Sequence, residues 1–121
     1  MQSNENAVVV YPCGRLSGEI RLQGAKNSVL PIMAAALLNK GVSVLHNCPE
    51  IADVYIMAEL LKICGCRVEF CNHTMTIDAE NADNGVIYGE YGTKMRASVI
   101  LMGSCLGRFG RFVMPPPGGC A

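Results

Sequence analysis

A chain of 121 residues has the length of one small domain. Half of it is hydrophobic, 17% is charged and the mean hydropathy is +0.28, a composition that excludes an intrinsically disordered polypeptide. The formal net charge is zero but unevenly spread: residues 1–50 balance to +1, residues 51–90 to −5, and residues 91–121 to +4. The last stretch carries Lys94, Arg96, Arg108 and Arg111 with no carboxylate side chain, which suggests either an anion-binding region or a solvated face that offsets the acidic middle. So few basic residues, with only Phe109 and Phe112 near the last two arginines, argue against nucleic acid. No uninterrupted apolar run reaches the roughly 18 residues of a membrane span. The polar start, Met1 to Asn6, does not read as a secretory signal. Seven cysteines, an odd number, fit a reduced cytoplasmic protein better than a disulfide scaffold.

In chain order, Val8 to Tyr11 reads as a short strand stopped by Pro12. Leu16, Gly18, Ile20 and Leu22 alternate with polar neighbours, the period of a half-buried strand. Gly24 breaks it, and the Ala- and Leu-rich run Ser28 to Leu38 predicts a buried helix, with Pro31 tolerated only in its first turn. Gly41 is the expected stop. Val42, Val44 and Leu45 predict a strand. Ile51, Val54, Tyr55, Ala58 and Leu61 form one helical stripe, with Asp53 and Lys62 placed as the helix dipole favours. Gly65 ends that helix. Val68 and Phe70, then Met75 and Ile77, alternate on either side of an Asn72–His73 turn, a hairpin.

The order over residues 16–78 is therefore strand, helix, strand, helix, strand, strand, a βαβαββ unit of α/β (α+β) class. After a polar linker, Glu80 to Gly85, a second unit begins. It has a short strand Val86 to Tyr88, a helix from Thr93 to Leu106 ended by Gly107 and Gly110, and a strand Phe112 to Met114. Its expected second helix and hairpin do not follow, so residues 86–121 read as an incomplete repeat.

Three residues could carry chemistry. Lys26, with Asn27 beside it, sits between a strand and a helix start, where orphan amides and the dipole favour an anion; the alternative is a surface lysine. Arg96, near the start of the third predicted helix beside Thr93 and Lys94, could fork onto a phosphate or diphosphate, or simply be solvated. Cys120 follows three prolines and two glycines at an accessible turn, and could be a nucleophile, a proton donor or an incidental thiol. Cys64, Cys66, Cys71 and His73 have the elements of a zinc site but not its spacing, and read as core or surface residues. Cys13, Cys48 and Cys105 form no pattern, and the methionines read as core filler.

Three segments resemble one family in the right order. Leu22-Gln23-Gly24-Ala25-Lys26-Asn27-Ser28-Val29-Leu30-Pro31 resembles the first strand and helix of the enolpyruvyl transferases that act on UDP-N-acetylglucosamine. Lys94-Met95-Arg96-Ala97-Ser98 resembles their second-repeat helix, and Pro117-Gly118-Gly119-Cys120 their catalytic loop. The resemblance runs from about Val8 to Ala121. It implies a two-domain inside-out α/β barrel built from βαβαββ units, of which residues 16–121 would be part of the first domain. Residues 1–15 would pair with the second domain. It implies transfer of enolpyruvyl from phosphoenolpyruvate to the 3′-hydroxyl of UDP-N-acetylglucosamine, the opening step of peptidoglycan synthesis, without metal or organic cofactor. Lys26 and Asn27 would then face phosphoenolpyruvate, Arg96 the UDP-sugar, and Cys120 would be the general acid and the target of fosfomycin. The family's arginines after the loop cysteine, its carboxylate base and its second domain have no counterpart in these residues. The expectation is a portion that is inactive alone and self-associates through exposed apolar faces. The alternative is a non-catalytic anion-binding or structural module of the same fold.

Overall fold

The computed structural model describes residues 8–88 and 99–116. Six elements follow in order: α1 (Lys26–Ala36), β1 (Val42–Leu45), α2 (Ala52–Ile63), β2 (Arg67–Cys71), β3 (Thr74–Asp78) and α3 (Ile100–Phe109). The three strands form one antiparallel sheet in the order β1-β3-β2.

The register sorts the sheet into two faces. Leu45 lies opposite Met75 and Phe70 opposite Met75 from the other side, while Ser43 and Val68 flank Ile77. These residues face the helices, and Met75 and Ile77 on the central strand are fully buried. The other face carries Val42 and Val44, Thr74, Thr76 and Asp78, and Arg67, Glu69 and Cys71. Alternation with period two is what makes one face apolar and the other mostly polar.

The helices complete the core. From α2, Val54, Met57, Ala58, Leu60 and Leu61 are buried, a wider stripe than the sequence predicts. Tyr55, expected inside, stands half exposed with its ring 5.4 Å from that of Phe70. From α1, Val29, Leu30, Met33, Ala34 and Ala36 are buried, but Ile32 is exposed, as is Leu38 just past its end, so the helix is buried on one side rather than all round. Pro31 lies in the second turn, not the first. Its missing N–H leaves the Asn27 carbonyl without a helical donor, a local loss that burial of Leu30, Met33 and Ala34 offsets.

Turns follow backbone chemistry. Gly65 adopts φ +95° just beyond α2, where an L side chain would be strained. Asn72 and His73 both have positive φ, as a two-residue type I′ hairpin turn requires. His73 is an unusual residue there, and reciprocal bonds hold it. The Cys48 N–H donates to the His73 carbonyl at 2.8 Å, and His73 Nδ1 lies 3.1 Å from the Cys48 carbonyl.

Two predicted strands are absent from the described residues. Residues 8–11 and 16–22 are extended coil with Val8, Val10, Leu16, Ile20 and Leu22 exposed. An alternating pattern becomes a strand only against a hydrogen-bonding edge, and neither β1 nor β2 offers its free edge to these segments. The predicted strands 86–88 and 112–114 reduce to one parallel bridge between Val86 and Val113, which nonetheless buries Ile87 completely. The third helix is described from Val99 onward and runs past Gly107 to Phe109. Its predicted first turns, 93–98, lie outside the described residues.

Arg108, read from sequence as part of a basic anion-binding end, is consumed internally. Its guanidinium donates to the carbonyls of Leu37 and Asn39 at 3.0 and 3.1 Å, and to those of Ala79, Glu80 and Ala82. It joins the end of α1 to the chain beyond β3, and leaves no donor fork for a ligand.

Gly24 shows how tight the approach to α1 is. A Cβ built there would sit 2.3 Å from the Asn47 carbonyl oxygen, a backbone atom that cannot swing away. Gly24→Ala should destabilise by about 1–3 kcal/mol, as overpacking does. Gly103, inside α3 with open space around it, should instead gain roughly 0.5–1 kcal/mol as Ala. Urea unfolding of both variants checks the pair of opposite signs.

Candidate functional site

The start of α1 is an open helix N-terminus. Ala25 is its N-cap and no side chain caps it. The Ala25 carbonyl accepts from the Ser28 and Val29 amides and from the Ser28 hydroxyl. The amides of Lys26 and Asn27 precede the first amide that bonds within the helix, as in any helix start, and both side chains are exposed.

Long-range bonds fix this end. The Gly24 N–H donates to the Asn47 carbonyl at 3.1 Å, and Asn47 Nδ2 donates to the Leu22 carbonyl at 3.4 Å. Asn47 holds φ +58° to do so. One residue on, the Cys48–His73 bonds pin the same loop to the hairpin turn. A carbonyl only accepts, so Nδ1 of His73 carries the proton in that contact. The Glu50 carboxylate lies 3.9 Å from the same nitrogen. The loop then enters α2 through Ile51, its N-cap.

The starts of α1 and α2 are thereby brought together, and Lys26 forms an ion pair with Asp53 in the first turn of α2. The Lys26 side chain is 55% exposed and that of Asp53 25%. Sequence reasoning reads Asp53 only as a complement to its own helix dipole. Its partner is remote in sequence, so no local pattern could have signalled the pair.

Beside this end lies a groove of about 570 Å³ lined by Arg21, Gln23, His46, Asn47, His73 and Thr74 among others. His46 Nδ1 is 3.3 Å from the Thr74 hydroxyl across its floor. Apart from His73, read from sequence as a turn residue, none of these residues stands out in the sequence, because three separate segments supply them.

Arg96 and Cys120 both lie outside the described residues, so of the four candidate residues the structure brings only Lys26 and Asn27 into view. Four of the described cysteines, Cys48, Cys64, Cys66 and Cys105, are buried, whereas Cys13 and Cys71 are exposed. Burial pushes the Cys48 thiol up, against a backbone hydrogen bond from Met75. Cys66 is pushed from 9.0 up to about 11, mainly by burial, with Arg108 pulling the other way. Cys64 and Cys105 lie 4.0 Å apart and fully buried. The hydrogen bond between them, then burial, raises Cys64; the same bond lowers Cys105 against the opposing push of burial. Cys66 precedes β2 while Cys71 ends it and His73 follows, so the hairpin's length separates the members of the apparent zinc motif. Among the described residues no group of three or more His, Cys, Asp or Glu could hold a metal ion, and no helix is long and apolar enough to cross a membrane.

Known proteins resemble the chain along most of its length. Residues 10–121 match the family model described as EPSP synthase (3-phosphoshikimate 1-carboxyvinyltransferase). The chain is 44% identical over 106 residues to UDP-N-acetylglucosamine 1-carboxyvinyltransferase 2 of Caldanaerobacter subterraneus subsp. tengcongensis, covering 88% of this chain and 25% of that protein. It is 45% identical over 112 residues to UDP-N-acetylglucosamine 1-carboxyvinyltransferase of Wolbachia pipientis subsp. Culex pipiens, covering 87% and 26%. The chain thus spans about a quarter of the length of these relatives. Among solved structures it is similar to the enolpyruvyl transferase NikO from Streptomyces tendae, with a TM-score of 0.67 and 26% identity over 76% of this chain and 22% of that one.

The buried thiols give a pH-dependence. Cys66 holds its proton more tightly folded than unfolded, so its contribution to stability is full below about pH 9 and is lost as pH rises through about 11. Urea midpoints at pH 8 and pH 10.5 should fall further for the wild type than for Cys66→Ala.

Proposed function

This chain belongs to the EPSP synthase family, and on that premise we propose that it is the phosphoenolpyruvate-binding portion of a UDP-N-acetylglucosamine 1-carboxyvinyltransferase. One observation carries the reading. Lys26 and Asn27 open α1 at a bare helix N-terminus, in a chain 44–45% identical to enzymes of that name. Two backbone amides, the positive end of the dipole and an ammonium suit a small acid with two anionic groups, a carboxylate and a phosphate, such as phosphoenolpyruvate.

The reaction adds the 3′-hydroxyl of the sugar to C2 of phosphoenolpyruvate while C3 gains a proton, giving a tetrahedral ketal. Loss of phosphate and of one C3 proton restores the vinyl group on the new oxygen. Lys26 and Asn27 hold the phosphoenolpyruvate and offset its charge, Arg96 grips the diphosphate of the UDP-sugar, and Cys120 delivers the proton. No metal or organic cofactor enters these steps, and the setting is cytoplasmic.

In the whole enzyme the unit spanning residues 16–78 would be one βαβαββ repeat of an inside-out barrel, with residues 16–22 becoming its first strand only against a partner edge; residues 86–121 would be part of the next repeat, and residues 1–15 would meet a second domain. The exposed Leu16, Ile20 and Leu22 support this reading, since they carry a strand pattern without a partner edge. So do Ile32, Met102 and Leu106, exposed on the helices, and Leu38, exposed just past α1, faces through which the chain self-associates when alone. A site completed by other parts of an enzyme does not turn over by itself.

A chimera tests the function. This chain replaces the matching quarter of the Caldanaerobacter relative, and phosphate release is followed with both substrates present and with each omitted. The expected result is release that needs both substrates. It should fall by a factor on the order of 100 or more in Lys26→Ala and Cys120→Ser, the usual loss for a transition-state contact or a general acid. The 121-residue chain alone should release none. A folded chimera without activity, or one indifferent to Lys26→Ala, contradicts the assignment.

A further inference from the structure

We propose that Asp53 is the positioning residue for Lys26, a role that rests on reading Lys26 as the phosphoenolpyruvate contact. The first turn of a helix is an unfavourable place for a cation, because the dipole's positive end repels it. The same turn is favourable for a carboxylate, and Asp53 occupies it in α2. The contact between them joins the starts of two helices, unlike the local Lys62–Glu59 pair, which lies within one helix.

The two side chains differ in exposure. Asp53 is the more buried partner and Lys26 the more exposed. An ammonium carries three protons, so one carboxylate partner does not exhaust its donors, and the half-exposed Lys26 side chain stays accessible to an anion from solvent. A lysine side chain otherwise loses several rotatable bonds on binding, an entropic cost that a prior tether removes. The tether is itself anchored. The Gly24–Asn47 bond fixes the approach to α1, and the Cys48–His73 bonds fix the loop that enters α2. Asp53 thus acts on substrate through Lys26 without touching it.

The test reads Lys26 directly in the 121-residue chain. Acetic anhydride is applied in limiting amount, and peptide mass mapping gives the acetylation rate of Lys26 relative to Lys40, an exposed lysine remote from Asp53 in sequence. An ammonium held by a carboxylate must leave that contact before its nitrogen can attack. Asp53→Ala should therefore speed Lys26 acetylation roughly two- to fivefold, the factor an exposed ion pair of ordinary strength supports, with Lys40 unchanged. Asp53→Glu should recover most of the protection. Asp53→Asn, nearly the same shape, should fall between and guards against an Ala variant that misfolds. Phosphoenolpyruvate should slow Lys26 further in the wild type and less in Asp53→Ala. A merely structural Asp53 would alter all lysines together, and that outcome overturns the proposal. So does a Lys26 rate indifferent to every substitution, or phosphoenolpyruvate protection undiminished in Asp53→Ala. If the substitutions alter Lys26 alone but phosphoenolpyruvate never protects it, the positioning contact stands and the phosphoenolpyruvate reading of the site fails.

Discussion

One guanidinium holds the described fold together. Arg108 donates to five backbone carbonyls on two segments far apart in sequence, the end of α1 and the chain just past β3. Those carbonyls include orphans of a helix C-terminus, which would otherwise be left to water. Because Arg108 belongs to α3, the same bonds dock that helix, and with it the buried Leu101, Ser104 and Cys105, onto the layer formed by α1 and α2. Hydrogen bonds from a charged donor in a partly buried site are stronger than neutral ones, and removing the donor would strand several acceptors at once. The bridge between Val86 and Val113 then closes the chain on either side of α3.

The site at the start of α1 depends on a second set of backbone bonds at the opposite end of that helix. Gly24, Asn47, Cys48 and His73 are linked in sequence through main-chain groups, so that the loop after β1, the hairpin turn and the entry to α1 move as one body. The positive φ values of Asn47, Asn72 and His73 are concentrated there. Non-glycine residues in that region carry a cost that surrounding bonds must offset, and such residues gather where a fold presents a site. Two helix starts, one ammonium and one carboxylate converge at this end. Family membership and the identity to named carboxyvinyltransferases support assigning that convergence to phosphoenolpyruvate.

Much of the region from residue 26 to residue 78 was legible in the sequence because its signals are local. Apolar spacing in α2, alternation in β2 and β3, and turn residues at Gly65 and Asn72 each act within a few positions. The segments at 8–11 and 16–22 carry an equally clear pattern and do not form strands, since alternation specifies a buried side only when another edge supplies the hydrogen bonds. The internal role of Arg108 and the partner of Asp53 are illegible for the same reason, although Asp53 does lie in the first turn of α2 as the dipole favours. Charge counting and dipole arguments see a residue's own element, whereas both residues act across the fold. Lys26 and Asn27 were legible as site candidates because a lysine at a strand-to-helix junction has a local chemical meaning. The ion pair that holds Lys26 was not.

The central claim is that the start of α1, with the first turn of α2 beside it, is where phosphoenolpyruvate binds. Amide chemical shifts of the 15N-labelled chain during a phosphoenolpyruvate titration test it most directly. The account predicts saturable shifts centred on Lys26 and Asn27, extending to Asp53 and absent in Lys26→Ala. Shifts centred instead on the neighbouring groove of Arg21, His46 and His73, and unaffected by Lys26→Ala, would contradict it.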